Sequence, residues 1–255
     1  MHRIGLITST GRTGTQFFSY FINTCSSNAF CQHEPTPSRR FKFYSNLYLS
    51  DKISASFITR EFAKCREDIT KMARGRYYVE SNNFLFGCIR PLSRQYQDLK
   101  VLHVIRDPRA YIVSHLKHGF WKGIKRITAQ SVPYWIEKMD LAPRDRRNPI
   151  RILANRWVYV NETIARTQRD VDYLLIRFED LFGSDQSLAA DTLNAVIRFF
   201  QLDIEDVDKA ATLLKNKKNV GRKKRIPNDL SPRDEAYVMS TCRKLCRKYG
   251  YAVDS

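Results

Sequence analysis

Apolar and polar positions along this chain switch between a two-residue and a 3.6-residue period. Ile4 to Ile7 is a short apolar run of the kind a buried strand needs. It leads into Thr8-Ser9-Thr10-Gly11-Arg12-Thr13-Gly14-Thr15, a polar turn with two glycines. A helical pattern follows, with Phe17, Phe18, Phe21, Ile22 and Cys25 on one face. A second strand is expected around Asn28 to Gln32, ending at His33-Glu34-Pro35. Residues 36–50 read as aromatic and irregular, and Asp51 to Met72 as a helix. Tyr77-Tyr78-Val79-Glu80 predicts a third strand and Val101 to Ile105 a fourth. Pro108 suits the first turn of the next helix, where its missing N–H costs nothing, and that helix turns Ile112, Val113 and Leu116 inward. Helices are expected at 130–139, 149–169, 187–201 and 204–215, with a fifth strand over Asp172 to Phe178. A basic loop spans 216–230, and Ser231-Pro232 opens a last helix as N-cap and N1.

Alternating strands and helices predict a three-layer α/β/α fold with a mainly parallel central sheet. With no repeat and no low-complexity linker, residues 1–255 read as a single domain. In such sheets, sites lie beyond the carboxyl ends of the strands. The glycine turn, His33-Glu34, Glu80, Arg106 and Glu179 all fall there.

Composition adds little until charge is counted. The 43% apolar and 27% charged residues are ordinary for a globular chain. No apolar stretch reaches the length of a membrane span, and Met1 to Ile7 is too short for a signal-peptide core, so a cytoplasmic protein is expected. The net charge of +18 implies an anionic partner: nucleic acid, acidic lipid, an acidic polymer or a phosphate-rich cofactor. The six cysteines form no CxxC pair, and Cys242 and Cys246 are one helical turn apart, which suits packing better than zinc. Reduced thiols and no metal site are expected.

A strand, a glycine turn and a helix N-terminus make an anion site, because free backbone N–H groups converge and the helix dipole adds to them. Gly11 and Gly14 let the backbone approach closely, Arg12 supplies charge, and Thr13, Thr15 and Gln16 supply further donors. The Gly-Lys-Ser/Thr of a Walker loop is absent, which argues against Mg-ATP. A second segment, Val101 to Ser114, ends a strand with Arg106 and places Ser114 eight residues later, two turns into a helix. An arginine and a serine so spaced can hold a second phosphate.

Together these two segments resemble the sulfotransferases that use 3′-phosphoadenosine 5′-phosphosulfate (PAPS). The resemblance implies a P-loop-like fold in which Thr10-Gly11-Arg12-Thr13-Gly14-Thr15 holds the 5′-phosphosulfate. It implies that Arg106-Asp107-Pro108 to Ser114 holds the 3′-phosphate of PAPS and of its product, 3′-phosphoadenosine 5′-phosphate (PAP). Arg177-Phe178-Glu179-Asp180-Leu181 is similar to the family's Tyr-Glu-Asp-Leu, with Phe178 in place of the tyrosine. The implied reaction is in-line transfer of a sulfuryl group to a hydroxyl or amine, with no metal. Arg12 and the loop amides would stabilise charge developing on the leaving group.

Such a reaction needs a base for the acceptor's proton. Glu34 resembles the catalytic glutamate of glycan- and protein-modifying members by its place in chain order and is the first choice. Glu80, ending the third strand where small-molecule members carry a histidine, is the runner-up. His33 is a further candidate, turned to the other face from Glu34 by strand alternation. Six of the ten residues in Asn216 to Arg225 are cationic. By resemblance to the family's late basic loop, Gly221, Arg222 and Lys223 are expected to reach the 3′-phosphate. The acceptor is expected to be a saccharide or small natural product, acidic in character, reached through aromatics such as Phe41, Phe43, Tyr44, Tyr48, Phe120, Trp121, Tyr134 and Trp135. Nucleic acid is not expected as a partner. A polyanion-binding protein and a nucleotide-dependent phosphotransferase are the competing readings.

Overall fold

The computed structural model describes residues 3–117, 145–206, 209, 210, 212, 213 and 230–253. The expected helix at 130–139, most of the basic loop, Phe120, Trp121, Tyr134, Trp135, Gly221, Arg222 and Lys223 lie outside the described residues. In chain order the elements are β1 (Ile4–Ser9), α1 (Thr15–Cys25), β2 (Ala29–His33), α2 (Ser38–Leu49), α3 (Ala55–Met72) and β3 (Tyr77–Ser81). A 3₁₀ turn (Asn83–Leu85) comes next, followed by α4 (Ile89–Gln95), β4 (Lys100–Ile105) and α5 (Pro108–Lys117). The remaining elements are α6 (Pro149–Ala165), β5 (Asp172–Arg177), α7 (Phe178–Phe182), α8 (Gln186–Phe200) and α9 (Pro232–Lys248). The chain divides into two compact units: Met1–Ile105 with Thr163–Lys218, and Arg106–Glu162 with Asn219–Ser255.

The first unit holds the sheet. Its five strands are all parallel, in the order β2-β3-β1-β4-β5. The expected parallel α/β fold is therefore what forms. On one face, Ile7, Cys31 and Val79 of the sheet pack against Phe18, Phe21 and Ile22 of α1 and Val196 and Phe200 of α8, all fully buried. β1 is central and buried throughout because it is covered on both sides, as parallel strands are. Its carboxyl end lies between β3 and β4, where successive crossovers leave in opposite directions, and that is where such sheets bind ligands.

Two expectations change. Residues 38–49 form a helix, where an irregular segment was expected. The buried positions of α2 are Ser38, Phe41, Ser45 and Asn46, so its inward face is mostly polar and shows no apolar stripe. The next helix starts at Ala55 and not at Asp51: Asp51 has φ 56°, and the Ser54 hydroxyl caps α3 by accepting from Phe57 N–H at 3.2 Å.

The other face of the sheet carries a buried ion pair. Ile58, Phe62 and Arg66 are spaced by four along α3 and form its buried stripe. Arg66 therefore enters the core, where Nε and Nη2 donate to the two Glu80 oxygens at 2.6 and 2.8 Å. Tyr78 O–H and Asn82 Nδ2–H also donate to that carboxylate, at 2.8 and 2.7 Å. The guanidinium lies 5.2 and 5.5 Å from the Phe41 and Phe62 ring centres. Desolvation pulls the guanidinium down, but Glu80 outweighs it and holds it above its usual value.

All six cysteines are free thiols, and five are buried. Burial pushes Cys31 and Cys88 up to about 12 and Cys246 up to about 11, so all three stay protonated and unreactive at neutral pH.

Glu80→Gln keeps the side-chain shape but strands the buried Arg66 charge. It is expected to lower the unfolding free energy by about 3–5 kcal/mol. The measurement is a urea titration, read as a lower midpoint at unchanged slope. A loss below about 1 kcal/mol, the size of an ordinary substitution, would show that the pair does not anchor this face.

Candidate functional site

The loop after β1 is built on one hydroxyl. Ser9 Oγ accepts from Gly11 N–H at 2.9 Å and from Thr13 Oγ1–H at 2.6 Å, which fills its lone pairs. Its own proton goes to Asn83 Oδ1 at 2.5 Å. Between Ser9 and α1 the chain takes positive φ three times: 87° at Gly11, 58° at Arg12 and 71° at Gly14. Glycine adopts that conformation freely; an arginine does not. Gly14 is the N-cap of α1, with no side-chain cap and no acidic residue in the first turn. The positive end of the α1 dipole therefore meets no fixed negative charge from its own first turn, the arrangement that favours an exogenous anion. Thr10 Oγ1 is buried in this loop with no hydrogen-bond partner among the described residues. Desolvation lowers the Arg12 guanidinium from its usual value, yet an arginine in a protein keeps its charge.

Gly14 is required for packing as well as for φ. A Cβ there would lie 2.6 Å from Phe182 Cε2 and 3.3 Å from Phe178 Cε2. The Arg177-to-Leu181 motif forms the short helix α7, whose Arg177 pairs with Asp180 at 2.6 Å and whose Leu181 is buried. Its aromatic residues thus form the wall behind the loop.

His33 and Glu34 stand at the carboxyl end of β2. The Ser81 hydroxyl donates to Thr15 O at 2.7 Å, so it can only accept from His33 Nδ1, 3.3 Å away. In its neutral form a ring so bonded carries its proton on Nδ1 and its lone pair on Nε2. Glu34 follows with φ 43°, so strand alternation does not extend to it. Its N–H bonds Ser81 O at 3.0 Å, and its Oε1 accepts from Asn83 Nδ2–H at 3.1 Å. Ser9, Ser81 and Asn83 thereby join the loop, His33 and Glu34 into one hydrogen-bonded neighbourhood. Sequence reasoning missed these three connectors, which look like ordinary polar residues at strand ends.

Glu80 is not part of that neighbourhood. It is fully buried on the opposite face of β3, with both oxygens engaged by Arg66, Tyr78 and Asn82. The spacing of Ile58, Phe62 and Arg66 is the sequence signal that could have revealed its partner.

Arg106 and Ser114 belong to the second unit. Asp107 caps α5, its Oδ1 accepting from the N–H groups of Arg109 and Ala110 at 2.8 and 3.3 Å. Arg109 pairs with Asp107 at 2.7 Å and with Glu235 of α9 at 3.3 Å, and the Asp107 bonds hold its guanidinium above the usual value. Trp157 Nε1–H donates to Arg106 O at 2.9 Å. Ser114 is half-buried two turns into α5.

No protein-family model and no curated protein matches the sequence. Among solved structures, the crystal structure of a sulfotransferase from Alicyclobacillus acidocaldarius is similar in fold. The TM-score is 0.52 and the identity 14%, over 99% of this chain and 97% of that one.

Gly14→Ala is expected to cost about 1–2 kcal/mol for the left-handed backbone alone, and more for the overlap with Phe182. Gly75 also has positive φ, 81°, but nothing lies within 4 Å of a Cβ there. Gly75→Ala therefore isolates the backbone cost. Denaturation of the two variants side by side measures the packing contribution, and equal losses would show that Phe182 does not press on the loop.

Proposed function

We propose that the protein is a sulfotransferase that moves a sulfuryl group from PAPS to a hydroxyl or amine of a saccharide or small natural product. The reading rests chiefly on the loop after β1: three left-handed residues, an uncapped helix N-terminus and the orphaned Thr10 hydroxyl, with Glu34 tied to the same frame through Asn83. The fold likeness supports it.

These residues fit an anionic phosphosulfate. Thr10 Oγ1 lacks a partner that such a ligand would provide, and the first-turn amides of α1 face an anion favourably. When bound, PAPS supplies the sulfuryl group and the leaving nucleotide. Residues Thr10 to Gln16 hold the 5′ end; Arg106 and Ser114 take the 3′-phosphate, aided by the basic segment at Gly221, Arg222 and Lys223. Arg12 and the loop amides stabilise charge on the leaving oxygen. Glu34 accepts the acceptor's proton on Oε2, which has no partner among the described residues. His33, its Nε2 lone pair available, stands beside it as the alternative base. Glu80 keeps the fold and takes no proton. The net charge of +18 supports an acidic acceptor.

Thermal melts with PAP, ADP and Mg-ATP test the class. A ligand at 100 times its Kd adds about 2.7 kcal/mol of stability. Stabilisation by PAP above both others is expected. Equal stabilisation by all three, lost steeply with salt, would mark a general polyanion binder.

Glu34→Gln is expected to lower kcat by about 10²–10⁴, with PAP affinity and unfolding midpoint unchanged. Full activity in Glu34→Gln would remove Glu34 as the base and leave His33.

A further inference from the structure

Asn83 was not singled out by any motif, yet it is the only described residue bonded to both the loop frame and the Glu34 side chain. We infer that Asn83 is a positioning residue: its amide fixes the Glu34 carboxylate relative to the phosphosulfate loop. This rests on the reading of Glu34 as the base.

The argument is a count of donors and acceptors. Ser9 Oγ already accepts two hydrogen bonds, from Gly11 N–H and Thr13 Oγ1–H. Its single proton must therefore be donated, and Asn83 Oδ1 is its acceptor at 2.5 Å. That bond removes the usual ambiguity of an amide, because Oδ1 must face Ser9 and Nδ2 must face Glu34. Nδ2 can only donate, so what it holds at 3.1 Å is an oxygen with an open lone pair, Oε1. Oε2 is left to take the acceptor's proton. All the bonds run one way, from Gly11 and Thr13 through Ser9 and Asn83 to Glu34.

The arrangement answers a specific need. Glu34 sits at φ 43°, just past the end of β2: Ser81 O holds its N–H, but its side chain has left the strand's alternation. A glutamate has three side-chain torsions and loses activity steeply if displaced by about 1 Å from its productive position. Asn83 comes two residues after the end of β3 and is itself set by Asn82, whose side chain accepts from Phe84 N–H at 2.9 Å and starts the 3₁₀ turn. A rigid strand end thus lends its position to a residue on a strained turn. Because the same amide reads the Ser9 hydroxyl, carboxylate and loop are held to one frame.

Three variants and one spectroscopic readout test this. Asn83→Ala is expected to lower kcat about 10–100-fold, the worth of one hydrogen bond to a charged group, with PAP affinity unchanged. Asn83→Asp keeps the acceptor for Ser9 but cannot donate to Glu34. It is expected to be no better than Asn83→Ala, whereas a residue that merely braced Ser9 would be rescued by it. In a Glu34→Gln background, Asn83→Ala is expected to add almost nothing. Independently of turnover, the Asn83 side-chain amide resonances of the nucleotide-free protein are expected to shift in Glu34→Gln and in Ser9→Ala. Equal losses in both backgrounds, rescue by Asn83→Asp, or amide resonances indifferent to both replacements would each overturn the inference. Failure of the base reading looks different: Glu34→Gln is then fully active while the amide shifts persist, and the catalytic role of Asn83 falls with that reading.

Discussion

The arrangement depends on the Arg66–Glu80 pair. Two charges buried on the sheet are expensive, and their mutual attraction compensates only when every lone pair is used. Here Glu80 receives four hydrogen bonds, from Arg66 twice, Tyr78 and Asn82. The consequences run outward along two lines. Arg66 Nη2–H and Asn82 Nδ2–H both reach Ser38 Oγ, at 3.4 and 3.0 Å, and the Ser38 hydroxyl in turn donates to Pro35 O. That bond closes the turn that carries Glu34. On the other line, Asn82 starts the 3₁₀ turn that presents Asn83. One buried pair therefore fixes both ends of the Asn83–Glu34 bond. An apolar replacement could match its stability but not those two connections.

Much of the fold was legible because its signals are local. The β1–loop–α1 unit announces itself by an apolar run, two glycines and an apolar stripe, and the structure keeps each of them. The last helix begins at Ser231-Pro232 as its capping chemistry requires, with Ser231 Oγ accepting from Asp234 N–H at 3.2 Å. α2 was illegible because its buried side is mostly polar, and Ser38 and Ser45 there bond to Asn82 and Phe84, distant in sequence. The site divides the same way. The loop residues can be read from spacing. Glu34 and Glu80 look alike in sequence, two carboxylates at strand ends, and only the tertiary partners separate them. The Ser9–Asn83–Glu34 chain joins three stretches of sequence that no short window contains.

Two of the five described non-glycine residues with positive φ stand at this site. Arg12 and Glu34 are both non-glycine residues with positive φ, a conformation that costs about 1–3 kcal/mol each and persists only where neighbours over-determine it. The neighbours are identifiable. Around Arg12, Ser9 holds the flanking Gly11 and Thr13. At Glu34, Ser81 O holds the N–H and the Ser38 hydroxyl holds the next carbonyl. A residue before proline is ordinarily extended. Turned left-handed instead, Glu34 leaves the strand's alternation and brings its carboxylate within reach of Asn83. The strain is what sets this glutamate apart from a strand residue pointing into a core.

The second unit shows how little of a motif needs to be ligand chemistry. In Arg106-Asp107-Pro108-Arg109, three residues already have structural roles. Asp107 caps α5, Pro108 opens it, and Arg109 bridges Asp107 to Glu235. Arg106 gives its carbonyl to Trp157, and its side chain is not required by the cap. The same holds for total charge. Several cations are matched locally: Arg66 by Glu80, Arg90 by Asp170, Lys100 by Asp172, Arg151 by Asp145 and Arg177 by Asp180. A net charge of +18 counts what remains after such pairs cancel and says nothing about position. Position enters through the backbone: an uncapped helix end, left-handed residues in sequence and a buried hydroxyl without a partner. Among the described residues these three features coincide at the loop after β1, the place proposed for the anion, and a net positive charge raises the local concentration of any acidic molecule that comes to it.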